Sequence, residues 1–69
     1  MKRNVIPRNF KRMTARQMTG SSGGAAGDYW IIYRDNGLHG VNLTTNKQYY
    51  IFADHLRVPE LWQIVNIEK

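Results

Sequence analysis

The dipeptide Asn36-Gly37 follows a run rich in aromatic and β-branched residues, 29–35. Both central positions of a type I′ turn need positive φ, and Asn-Gly meets that need at little cost. This one feature commits the middle of the chain to a β-hairpin and so to an antiparallel sheet. A two-residue loop sets the register, with Arg34 opposite His39, Ile32 opposite Val41 and Trp30 opposite Leu43. In that register Trp30, Ile32, Val41 and Leu43 share one face. Tyr29, Ile31, Tyr33, Gly40 and Asn42 share the other.

The pattern continues beyond the hairpin. A second turn over residues 44–47 brings Tyr50 and Phe52 to the first face and Tyr49 and Ile51 to the second. Residues 53–60 break the alternation, and Asp54 is placed to cap a single helical turn that ends before Pro59. Residues 61–67 return to strand. The expected fold is mainly β, with α+β as the alternative: a four-stranded antiparallel meander with a short helical turn before its last strand. Its core is expected to hold Trp30, Ile32, Val41, Leu43, Tyr50, Phe52, Trp62 and Ile64. Because both sides of the strands are apolar, the sheet is expected either to curl into a small SH3-like barrel or to have one face covered by a partner, a second copy included.

Charge divides the chain differently. Lys2, Arg3, Arg8, Lys11, Arg12 and Arg16 precede the first acid, Asp28, so residues 1–27 carry +6 and residues 28–69 carry −1, giving the net +5. Residues 20–27 read Gly-Ser-Ser-Gly-Gly-Ala-Ala-Gly, the composition of a flexible linker. Three segments follow: a basic N-terminal arm over 1–19, a linker over 20–27 and a β-rich body over 28–69. The arm holds one marginal helix, capped by Asn9 with Phe10, Met13 and Gln17 or Met18 on a face. A helix of that length is weak alone in water, so the arm is expected to be disordered when free.

A body of some forty residues is small for an independent core and needs dense packing or association. With no cysteine among the 69 residues, disulfides and thiolate metal sites are excluded. The same absence fits a reducing compartment, the cytoplasm, or the host cytoplasm if the chain is viral. No apolar run approaches the ~20 residues of a membrane span. Catalysis lacks materials: His39 and His55 are the only histidines, and no serine follows residue 27. A general acid or base needs a positioned partner and a pocket, so no catalytic, cofactor or metal residue is nominated and a non-enzymatic protein is expected.

Binding is the remaining class. The leading expectation is docking on a larger protein through the face bearing Tyr29, Ile31, Tyr33, Tyr49 and Ile51, which modulates that partner. The alternative is nucleic-acid binding, with Lys2, Arg3, Arg8, Lys11, Arg12 and Arg16 neutralising phosphates and with or without base stacking on the tyrosine face. Self-association is a third reading. In size, strand order and composition, residues 28–69 resemble small β-rich proteins encoded by bacteriophages. That likeness implies an accessory protein or an inhibitor of a host protein. A basic arm on a compact body also resembles minor ribosomal or virion proteins. Neither likeness rests on a motif, so neither transfers a functional residue.

Overall fold

In the computed structural model, which describes residues 2–69, five strands and one short helix follow the chain. They are β1 (Arg12–Gln17), β2 (Tyr29–Arg34), β3 (Leu38–Asn42), β4 (Gln48–Tyr50), α1 (Ala53–Leu56) and β5 (Trp62–Glu68). One antiparallel sheet contains all five strands in the order β4-β3-β2-β1-β5. The sheet is open, with β4 and β5 as its edges, and does not close into the expected barrel. The mainly β class and the short helix before the last strand agree with expectation. The strand count does not, because the meander gains a fifth strand.

That strand comes from the segment expected to be a disordered or helical arm. Along β1 the side chains alternate: Met13, Ala15 and Gln17 are buried, and Arg12, Thr14 and Arg16 turn to the other face. A lone helix here would offer a thin apolar stripe and nothing to pack it on. As a strand, the segment pairs on one side with β2 and on the other with β5. Burying Met13 alone is worth about 1.5–3 kcal/mol. Residues before β1 are engaged as well. The Asn4 N–H donates to the Arg57 carbonyl at 3.0 Å, and Asn4 Nδ2 donates to the Leu56 and Trp62 carbonyls at 2.9 and 2.8 Å. Phe10 is buried, and Ile6 packs on the same cluster. Met1, the first residue of the expected arm, lies outside the described residues.

The core covers one face of the sheet, called here the inner face. The chain leaves β4 at one edge and crosses to β5 at the other, carrying Ile51, Leu56 and Leu61 over Met13, Ala15, Trp30, Ile32 and Trp62. A bulge in β5 serves the same end. Thr14 pairs with Asn66 and Ala15 with Ile64, so Val65 has no partner and the alternation resets. Trp62, Ile64 and Ile67 thus all pack against the core. Asp54 does not cap α1, whose N-cap is Phe52 without a side-chain hydrogen bond; it sits in the first turn instead.

The hairpin forms at Asn36-Gly37, but its loop has three residues. Asn36 and Gly37 take φ of 52° and 120°, and the Asp35 N–H donates to the Gly37 carbonyl at 2.9 Å. Arg34 pairs with Leu38, Ile32 with Gly40 and Trp30 with Asn42, one residue away from the expected register. The slip turns β3 over relative to β2, and β4 with it. Leu38, Gly40 and Asn42 therefore point inward. Val41 moves to the outer face, and Leu43, Tyr50 and Phe52, expected in the core, are exposed at 54%, 61% and 59%. The physical reason lies at Gly40, where a Cβ would stand 2.8 Å from Ile51 Cγ1 and 3.0 Å from Trp30 Cε3. Only glycine fits under those side chains, whereas the expected register puts Val41 opposite Ile32 there.

The Gly/Ser run is a folded connection. Ser21 and Gly24 exchange backbone hydrogen bonds at 2.9 and 3.3 Å. Beneath them lie two buried amides. Gln17 Oε1 accepts from Trp30 Nε1 at 2.9 Å, while Gln17 Nε2 spreads its hydrogens over Thr19 O, Ser21 Oγ and Gly24 O. Asn42 Nδ2 donates to Gly23 O and Asp28 Oδ2, and Asn42 Oδ1 accepts from the Thr44 and Thr45 N–H groups. Hydrogen bonds to Asp28, first from the Ala25 N–H and then from Asn42, hold its carboxyl below the usual carboxylate range against the opposing effect of desolvation. Every buried side-chain N or O among the described residues finds a partner. Satisfying two buried amides is what fixes a run whose composition alone reads as a linker.

Candidate functional site

The outer face of the sheet has no element over it. Cross-strand pairing sets its rows. Arg12 lies beside Tyr33, Tyr33 beside His39, and His39 beside Tyr50. Thr14, Ile31, Val41 and Gln48 form the next row, and Arg16 lies beside Tyr29. Directly paired residues place Cβ atoms about 4.5–5.5 Å apart, so the side chains of each row are neighbours.

The first row is aromatic and extends past the sheet. The Tyr33 and His39 rings stack at 5.6 Å and 27°, and His39 meets Tyr50 edge-on at 5.1 Å. Tyr50 then meets Phe52 at 6.2 Å, and Phe52 meets His55 at 5.4 Å. Five rings thus run from the middle of the sheet over the β4 edge to α1. His39 Nε2 lies 2.8 Å from the Asp35 carbonyl, which can only accept, so that nitrogen carries the hydrogen. The hydrogen bond holds the imidazole as the second ring of the row.

Charge on this face comes from β1. Arg12 makes a forked pair with Glu68, with Nε at 3.2 Å and Nη2 at 2.9 Å from Oε2. Both side chains are about half exposed, at 55% and 49%, so the pair is water-screened and easily exchanged. Arg16 has no ion pair within 4.0 Å among the described residues. Glu68 is the one carboxylate among the paired strand residues of the face.

The residues nominated from sequence are distributed as follows. Tyr29, Ile31 and Tyr33 share the outer face. Tyr49 and Ile51 do not join them, because β4 turned over with β3. The Tyr49 ring sits 5.5 Å from Trp30 on the inner side, and Ile51 is core. Arg12 and Arg16 do join the tyrosines, having arrived with β1. Lys2, Arg3 and Lys11 are exposed before β1, and Arg8 lines a small cleft with Arg34 and Arg57. Sequence reasoning missed His39, Tyr50, Phe52 and His55 as members of one row. The signal for them was the third loop residue at 35–37, which alone decides that His39 meets Tyr33.

Beyond the β4 edge the row borders a groove of about 430 Å³, lined by Trp30, Tyr49, Tyr50, Phe52, Trp62 and the Gly/Ser loop. No Asp, Glu, Lys or Arg lines it. Among the described residues no group of three His, Cys, Asp or Glu side chains is arranged to hold a metal ion, and no helix is long and apolar enough to cross a membrane. Comparison with protein-family models, with curated proteins and with solved structures yields no match.

Proposed function

We propose that this chain is a non-enzymatic binding protein whose outer sheet face takes single-stranded nucleic acid. One observation carries the reading: β1 inserts Arg12 and Arg16 beside Tyr33 and Tyr29, on the face that also holds His39 and Tyr50. Bases offer π-faces that stack on aromatic side chains whatever the sequence, and arginines beside them meet phosphates. A tyrosine face on a body of net charge −1 would lack the second half of that chemistry. With β1 in the sheet the same face carries it.

The test is fluorescence anisotropy with a short single-stranded oligonucleotide at low and moderate salt. Affinity is expected to fall with salt by about 0.7 log units per log unit for each phosphate neutralised. Tyr33→Ala and Tyr50→Ala should each weaken binding by roughly tenfold or more, the loss of one stacked base. Arg16→Gln should flatten the salt dependence. Absence of binding at low salt, or binding indifferent to both tyrosines, overturns the reading.

A second reading is docking on a larger protein. The groove, free of Asp, Glu, Lys and Arg, and the exposed Tyr50 and Phe52 at its rim favour it, since buried aromatic anchors dominate protein interfaces. Affinity for such a partner would be insensitive to salt and lost on Phe52→Ala.

A further inference from the structure

We infer a second site, an anion cleft for a phosphate group, on the inner side of the sheet at the Arg34 end. It has a volume of about 170 Å³, and its walls come from three separate segments. Arg8 precedes β1, Arg34 ends β2, and Arg57 follows α1. The other lining residues are Ile6, Pro7, Leu38, Ala53 and Leu56, all apolar. Three arginines thus line the cleft, and no acidic side chain does.

Arginine stays protonated at any physiological pH, so three exposed arginines around one apolar hollow make it a place of positive potential that attracts an anion. The existing partners do not answer that charge. Arg57 reaches Asp54 only at 3.7 Å, and Asp54 is 91% exposed. Arg34 lies over the Phe10 ring, its Cζ 4.6 Å from the centroid, a contact that fixes the guanidinium without neutralising it. A fixed planar fork beside an apolar floor suits a phosphate, whose oxygens accept paired N–H bonds from arginine. The site stands apart from the outer face and does not rest on the function proposed for it.

The phosphate can be a free small anion or the 5′ end of a nucleic acid, and one experiment separates the two. The arginine Nε–H resonances of the full chain are followed by NMR at low salt. Inorganic pyrophosphate is titrated in one arm, and a 5′-phosphorylated oligonucleotide with its 5′-hydroxyl twin in the other. Saturable shifts of Arg8, Arg34 and Arg57 with pyrophosphate support a small-anion site. The same shifts only with the phosphorylated oligonucleotide support a site for its terminus. Arg8→Gln and Arg57→Gln, which leave the Phe10 contact intact, should each weaken the effective ligand about tenfold, and Lys47→Gln, at an exposed turn outside both sites, should not. No saturable shift in either arm, or equal weakening by Lys47→Gln, overturns the site.

Discussion

Replacing Gly24 by alanine distinguishes a folded Gly/Ser connection from a linker by the size of its effect. In a flexible linker, loose in the folded and unfolded chain alike, the substitution restricts both states equally and leaves stability nearly unchanged. In this structure an added Cβ would stand 2.7 Å from Gln17 Oε1 and 2.9 Å from Asp28 Oδ2, and closer still to Asn42 Nδ2. All three atoms belong to the hydrogen-bonded network. Gln17 and Asn42 are only 4% and 0% exposed, so neither amide can turn to water when displaced. An unpaired buried polar group costs about 1–3 kcal/mol, and at least two are disturbed, so the expected loss is about 2–4 kcal/mol. A chain of this length has a total stability of roughly 3–10 kcal/mol. The assay is urea unfolding followed by tryptophan fluorescence, Trp30 being itself in the network. With a slope near ~1 kcal/mol/M the midpoint should fall by about 2 M or more. Gly20→Ala is the control, since nothing lies within 4 Å of a Cβ there. A Gly24→Ala protein as stable as the parent, or more so, would refute the account of the loop.

Three further outcomes follow from the same framework. Gly40→Ala should destabilise by about 1–3 kcal/mol through crowding against Ile51 and Trp30, with Ile51→Val recovering part of the loss in thermal unfolding. Asp28 has a folded pKa below its unfolded one, so its contribution to stability is complete above roughly pH 4 and is lost as pH falls through the depressed folded value. The difference in urea midpoint between the parent and Asp28→Asn should therefore shrink on acidification, and a constant difference down to the lowest pH would contradict that. Deleting residues 2–19 removes β1, Phe10, Met13 and Ala15, and should collapse the amide NMR dispersion of the remainder; a well-dispersed spectrum of 20–69 would mean that β1 is dispensable.

Local chemistry made part of this fold legible. Asn36-Gly37 located the hairpin and Pro59 bounded the helical turn, because both act through backbone torsions of near neighbours. What escaped was decided at a distance. The third loop residue at 35–37 depends on the space under Trp30 and Ile51, which no local pattern records. Gln17 points inward because Trp30 and the Gly/Ser loop satisfy it, and without those partners Arg-Met-Thr-Ala-Arg-Gln fits a helix or a strand. The candidate face was half legible for the same reason. Tyr29, Ile31 and Tyr33 alternate along one strand and stayed together, whereas Tyr49 and Ile51 depended on register, and Arg12 and Arg16 on a strand pairing with β5.

The position of β1 also governs the order of assembly. Closing the β2–β3 hairpin joins residues four apart, Arg34 and Leu38, whereas the Arg12–Glu68 contact spans 56 positions. Loop-closure entropy makes the second step costlier by about 2 kcal/mol. β1 meets β2 across as few as 13 positions, Arg16 with Tyr29, so β1 to β4 form a locally connected unit and β5 docks last. The tyrosines and the arginines beside them share that unit, whereas the Arg12–Glu68 pair waits for the final step. Any ligand the face holds therefore draws its affinity from the β1–β2 pairing and stabilises that pairing in return.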